Sequence, residues 1–261
     1  MSAPYPQESL SATERLITPE VLKRLGDNYS IAPWTGFATL YGSDRMVLAA
    51  QKEIKKALKS VANRLMFITP ERAKFYAKLS QWVPGSRGDG LRSLTSTLNH
   101  SLELVMGRPN ETALALAYWR SGVKGHPGNL NPARDGCGLT WYAPLVPMRS
   151  QDVRRFTDMV HRVTSKYGIE PLITFTTLND RLFDSTIPLL FDRNNPKEVA
   201  AAAACYAELF YSGKAEGWFP YRVGIDAMPD LLKMQQHAPQ FHERLRKDLD
   251  PHDILSPGRY R

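Results

Sequence analysis

Val153, Phe156, Val160, Val163 and Tyr167 recur at helical spacing across 151–167. An extended apolar run precedes them at 139–146, and two more follow at 172–178 and 182–191. A helix with one apolar stripe must bury it against another element, and the flanking strands supply a sheet for that purpose. Gly168 stands where a left-handed residue ends a helix. Asn195-Pro196 caps and opens a second helix reaching Tyr211, and a last extended segment covers 219–223. The resulting β-α-β-β-α-β series specifies an α+β chain: a split βαβ, ferredoxin-like antiparallel sheet with helices on one face. Pro188 assigns its strand to an edge or a bulge.

The first half reads less uniformly. Residues 1–30 are polar and proline-containing, and Thr18-Pro19 starts one helix. Phe37–Tyr41 reads as a strand, 43–60 as a helix carrying Met46, Leu48, Ile54 and Leu58 on one face, and Leu65–Ile68 as a second strand. Thr69-Pro70 opens another helix. The resulting β-α-β-α order would add strands to the same sheet. Residues 83–100, with Pro84-Gly85 and Gly88-Asp89-Gly90, read as a surface loop, and 122–138 as an irregular tract leading into Asp135-Gly136-Cys137-Gly138. Beyond Met228 the chain is helical and charged, and 250–259 is a compact turn segment foreign to the sheet.

A formal net charge of +8 raises nucleic acid as a partner, yet the basic residues are spread along amphipathic segments such as Lys52, Lys55, Lys56 and Lys59. No nucleic-acid motif is present, so no nucleic-acid partner is expected. No apolar run reaches the ~18 residues a membrane span needs. Met1–Pro6 lacks the basic start and apolar middle of a secretory leader, and a cytoplasmic, membrane-free protein is expected. Two cysteines cannot form a disulfide framework; Cys205, among alanines, reads as a buried small residue. None of the six histidines has metal or catalytic spacing.

Three places could meet a flat, anionic or aromatic ligand. Gly136-Cys137-Gly138 runs into Leu139-Thr140-Trp141-Tyr142; it is a turn signal first and a ligand approach second. Tyr221-Arg222 sets a phenol beside a guanidinium; on a strand the two would point to opposite faces, whereas at a bulge or strand end they converge. Arg259, after Pro257-Gly258, is either a plain C-terminal cation or a fixed charge on a turn.

Taken in order, these segments resemble the C-terminal half of the vanillyl-alcohol oxidase and 4-cresol dehydrogenase (p-cresol methylhydroxylase) family of flavoproteins. The resemblance runs from Trp34-Thr35-Gly36-Phe37 through Gly136–Pro144, Thr174-Phe175-Thr176, Phe191–Pro196 and Tyr221-Arg222 to Pro257-Gly258-Arg259, about nine-tenths of the chain. It implies an FAD-linked oxidase cap domain over 1–217 and a tail, 218–261, that packs on a flavin-binding domain. It also implies hydride transfer from the benzylic carbon of a para-substituted phenol to FAD, through a quinone methide. Carried over by position, Tyr221, Arg222 and Arg259 are catalytic; Gly136, Gly138, Leu139, Arg222 and Arg259 face the cofactor; Trp141, Thr174 and Tyr221 face the substrate.

Leu139 stands where alcohol-oxidase-type members carry a flavin-linked histidine, so FAD would be held noncovalently or linked elsewhere. Phe183-Asp184 stands about where relatives carry paired histidines. The implied partners are a phenolic substrate, a flavin-domain polypeptide or cytochrome, and further copies of the chain in a homo-oligomer. The chain would act as an oxidoreductase only with the flavin domain supplied by another polypeptide or segment. The alternative is a non-catalytic remnant, or a module of the same fold that binds an aromatic ligand or a partner.

Overall fold

The computed structural model describes residues 16–29, 32–121, 123, 125–233, 238–257 and 259. The chain divides into two compact units, one holding Ile17–Trp119 with 125–131 and one holding the chain from Pro132 onward. No described helix is long and apolar enough to cross a membrane.

Helices form the regular structure described in the first unit: α1 (Pro19–Tyr29), α2 (Asp44–Leu58), α3 (Pro70–Ser80), α4 (Gly85–Val105) and α5 (Ala115–Tyr118). Thr69 caps α3 by accepting the Arg72 N–H. The strands expected at 37–41 and 65–68 do not form, and the loop expected over 83–100 is most of α4. The loop reading failed because one stripe of α4 is polar. Arg92 donates to the Ser80 and Val83 carbonyls of the α3 end at 3.1 and 3.0 Å, and Asn99 donates to Ala73 at 3.4 Å. Those contacts hold the two helices together through hydrogen bonds, a pattern that apolar periodicity does not reveal. α2 buries none of its residues.

The second unit follows the expected series: β1 (Cys137–Tyr142), β2 (Leu145–Pro147), α6 (Ser150–Lys166), β3 (Thr174–Thr177), β4 (Leu182–Asp192) and α7 (Pro196–Ala215). A short 3-10 turn, Ile225–Ala227, then leads to α8 (Met228–Leu232) and α9 (Ala238–Leu249). β4 pairs antiparallel with β1, β2 and β3. β1 and β2 keep one register on β4, so they form a single strand interrupted at Ala143-Pro144, and β3 takes the opposite edge of β4. β3 stops opposite Thr186, so Pro188 pairs with Trp141 of β1 and has no named strand on its other side. That side is the edge the proline requires.

Alternation then sorts the sheet. Tyr142, Val146, Ile187 and Leu189 face α6 and α7 and form one core with Phe156, Val160, Val163, Cys205, Leu209 and Trp218. Gly168, at φ 66°, closes α6 while Ile169 N–H returns to Thr164. Gly217, at φ 78°, closes α7 the same way, with Trp218 N–H bonded to Gly213 at 2.8 Å. This second closure drops Trp218 into the core at 2% exposure and starts the segment that carries Tyr221 and Arg222.

Candidate functional site

The sheet face turned away from α6 and α7 carries Leu139 and Trp141 from β1 and Leu145 from β2. β4 adds Asp184, Thr186, Pro188 and Leu190, and β3 adds Thr174 and Thr176. Pro188 and Leu190 are buried, Thr174 and Thr176 are exposed, and Trp141 is 40% exposed. The register places Trp141 opposite Pro188 and Thr174 opposite Thr186. Trp141 and Thr174, two of the three sequence-derived substrate residues, therefore share one face, one on each side of β4.

The segment after α7 extends that face by one partial strand. Leu145 N–H bonds to the Phe219 carbonyl at 2.9 Å, Tyr221 N–H bonds to Ala143 at 3.2 Å, and Pro220 bridges Pro144. Pro220 and Trp218 are buried, while Phe219 and Tyr221 are exposed, Tyr221 at 45%. Strand alternation would send Arg222 away from Tyr221. Instead its guanidinium lies 5.2 Å from the Tyr221 ring centroid. The pairing stops at Tyr221, so the next residue is free to fold back. A phenol and a cation are thereby presented together, a stacking worth roughly 0.5–1 kcal/mol at an exposed site.

Asp184 lies on the same face, flanked in register by Leu145 and Thr176. Among the described residues its Oδ1 is buried without a hydrogen-bond partner. Burial pushes its carboxyl above the ordinary carboxylate range, and the Arg222 charge pulls it partly back. No described carboxylate lies within ion-pair distance of Arg222 itself.

The two glycines have reasons internal to the fold. Gly136 adopts φ 77°, and a Cβ there would sit 3.2 Å from the Asn194 amide nitrogen. A Cβ on Gly138 would lie 2.4 Å from the Phe191 ring, on the core side of the sheet. Leu139 is half-buried opposite Leu190. Cys205 is fully buried, and burial pushes its thiol up to about 12, so it is inert at neutral pH.

Arg259 occupies a separate turn. Arg246 of α9 donates to the carbonyls of Leu255 (3.0 Å), Ser256 (3.4 Å) and Arg259 (3.1 Å), and it pairs with Asp253. Asp250 accepts the Ile254 and Leu255 N–H groups, both at 2.9 Å. Asp253 and Ser256 are thereby held in left-handed backbone at φ 55° and 46°. Among the described residues, no hydrogen bond or ion pair joins the Arg259 side chain to the sheet. Sequence reasoning missed the roles of Asp184 and Arg246. The sequence showed Asp184 only as a departure from the resemblance; Arg246 had no signal, because its partners lie seven to thirteen residues away across a turn.

The second sheet face thus offers an indole, a phenol, a guanidinium, a half-buried carboxyl and threonine hydroxyls. That set fits the edge of a flat anionic aromatic. It contains no strand–glycine loop–helix junction for a dinucleotide pyrophosphate. Among the described residues no group of three or more His, Cys, Asp and Glu could hold a metal ion.

No family model matches the chain. Over 262 aligned positions, spanning the whole chain and 48% of the relative, it is 30% identical to 1'-carboxy-chondrochloren decarboxylase of Chondromyces crocatus. Over 251 positions, 95% of the chain and 41% of the relative, it is 27% identical to the 4-cresol dehydrogenase [hydroxylating] flavoprotein subunit of Pseudomonas putida. The chain spans about half the length of the curated relatives it matches. Its fold matches p-cresol methylhydroxylase with substrate bound at a TM-score of 0.73 and 22% identity, covering 98% of this chain and 43% of that one. It also matches 4-ethylphenol oxidase from Gulosibacter chungangensis, in its isoeugenol complex, at a TM-score of 0.75 and 23% identity, covering 97% and 44%.

Proposed function

From the premise that this chain is a relative, in sequence and in fold, of the 4-cresol dehydrogenase type of flavoprotein, we propose that it is the substrate-cap and C-terminal part of an FAD-dependent oxidoreductase acting on para-substituted phenols. The observation that carries this reading is the Arg222 guanidinium folded over the Tyr221 ring on the sheet face that also holds Trp141 and Thr174. A phenol has an ordinary pKa near ~10, so a site that works on the phenolate must stabilise the anion. Arg222 supplies the opposite charge and Tyr221 a hydrogen-bond donor beside it. Trp141 offers a flat apolar wall to the ring, and Thr174, across β4, faces the para substituent.

FAD supplies the acceptor for a hydride leaving the benzylic carbon. Leu139 offers it no covalent attachment, so the flavin would be held noncovalently or linked elsewhere, with Arg222 and Arg259 the cations this chain would contribute and a flavin-binding polypeptide or segment holding the rest. The 218–261 tail would be the part of this chain that packs against that flavin-binding partner. Co-purification tests the proposal: the chain expressed with a flavin-binding polypeptide should carry flavin absorption and oxidise 4-methylphenol, and Arg222→Ala should remove the oxidation and keep the fold. Turnover unchanged by Arg222→Ala would remove that residue from the site.

A second reading is favoured by Gly138, whose open side is filled by Phe191 rather than left for a cofactor. On this reading the face binds an aromatic ligand without redox chemistry. Phenol binding with no flavin in any preparation supports it over the first.

A further inference from the structure

Asp184 is a charged residue type placed where β4, β2, β3 and the 219–222 segment meet, and nothing in the phenol-binding role of Tyr221 and Arg222 uses it. β2 presents Leu145 to it and β3 presents Thr176, while the 219–222 segment sets Phe219 beyond Leu145 in the same row and Tyr221 one pair further along, beside Ala143. Arg222 is the charge that acts on it, from beyond ion-pair distance. Its Oδ1 is buried and unpartnered among the described residues. A buried acceptor without a donor costs roughly 1–3 kcal/mol, and a ligand that brings the donor relieves that cost.

Resting on the phenol-site reading above, we propose that Asp184 is the proton acceptor of this site, taking the phenolic proton as a para-substituted phenol binds beside Tyr221 and Arg222. The phenolic O–H bond breaks and its electron pair stays on the phenol oxygen, next to the Arg222 guanidinium. The proton forms a new O–H bond with the Asp184 carboxylate, and no other reactant is consumed.

The charge balance favours this direction. One guanidinium compensates one anion in a partly desolvated site, whereas two anions beside it leave an uncompensated charge. In the free chain the Arg222 charge acts on the Asp184 carboxyl and lowers its proton affinity. Once the phenolate takes Arg222, that pull is spent on the phenolate, and burial of Oδ1 then favours the protonated carboxyl. The net charge of the site is the same before and after binding, so a neutral phenol enters and no proton reaches solvent.

Calorimetric titration of the purified chain with 4-methylphenol at about pH 8, below the phenol's own pKa, tests this in buffers of different ionisation enthalpy. Ultraviolet difference spectra report whether the bound ring is ionised. The wild-type chain should bind phenolate with no proton released to buffer. Asp184→Asn should either release one proton per phenolate bound or bind the neutral phenol. One proton released by the wild-type chain, or identical behaviour of Asp184→Asn, would overturn the role of Asp184. Phenolate binding that survives Arg222→Ala, or no binding by the wild-type chain, would instead take down the phenol site on which the proposal rests. Carbon-13 NMR of the free chain adds a ligand-free check. The Asp184 carboxyl should titrate above the ordinary carboxylate range and move higher still in Arg222→Ala, which removes the charge that pulls it down. A carboxyl titrating at its ordinary value, unmoved by Arg222→Ala, would also overturn the proposal.

Discussion

The two units of this chain treat their apolar residues in opposite ways. In the sheet unit, the stripe of α6 and alternate residues of β1, β2 and β4 close on one another, with Phe156, Val160, Val163, Ile187, Leu189 and Leu209 fully buried. In the helical unit, α2 buries nothing, Met46 and Leu48 are exposed, and Phe37 and Trp82 stand 86% and 84% exposed. Both units carry amphipathic segments of ordinary quality. Amphipathicity therefore made helices in both, but the sheet gave α6 and α7 a broad apolar surface to cover, whereas α2 covers none. Apolar residues left outward in number mark a surface for another molecule.

The largest expected effect separates the units directly. Trp218→Ala should cost about 3–5 kcal/mol in chemical denaturation, because it empties the centre of the sheet core. Trp82→Ala, in the other unit, should stay within about 0.5 kcal/mol. Equal losses would erase the contrast.

Next comes ligand binding. Arg222→Ala should weaken phenol binding roughly tenfold to a hundredfold, the value of about 1.5–3 kcal/mol for a hydrogen bond to a charged group, with the melting temperature unchanged. A destabilised variant of unchanged affinity would make Arg222 a structural residue.

Asp184→Asn tests the same face through pH. The folded chain raises the carboxyl's proton affinity, so between the ordinary carboxylate value and the raised one it keeps a proton that the unfolded chain has lost. Stability falls as pH rises through that window. Asp184→Asn should therefore melt higher than wild type above the window and show no such advantage below it. A gain confined to acidic pH would reverse the assignment.

Two smaller effects follow. Arg246→Lys gives up the forked contacts to three carbonyls and should speed amide exchange at Ile254 and Leu255 with little change in global stability. Phe37→Ser, in the helical unit, should reduce self-association in sedimentation at high protein concentration, whereas the same replacement at exposed Phe219 beside the site should not.

Much of the sheet unit was legible before its structure. Gly168, Asn195-Pro196 and the helical stripe of 151–167 each act within one turn of the chain, so local pattern fixed α6 and α7 closely. Strands at 37–41 and 65–68 were wrongly expected for the complementary reason: an extended apolar pattern becomes a strand only when another strand offers it hydrogen bonds. The 83–100 segment was misread because Arg92 and Asn99 hold α4 to α3 with polar contacts. Of the candidate site, the residue types and positions of Trp141, Thr174, Tyr221 and Arg222 were readable. Asp184 was visible only as a departure from a resemblance.

By itself, then, the sequence determined the β-α-β-β-α order, with the last expected strand reduced to a single bridge at Pro220, the caps and stops of those helices, and the set of side chains able to meet a phenol, since all of these depend on neighbours a few residues apart. Tertiary structure alone decided that Gly138 faces Phe191, that Arg222 turns back over Tyr221, and that Asp184 Oδ1 is buried without a partner among the described residues, in the row of Thr176 and Leu145. Each of those depends on pairing between segments tens of residues apart, where the register of one strand on another, and not the local pattern, sets which side chains share a face.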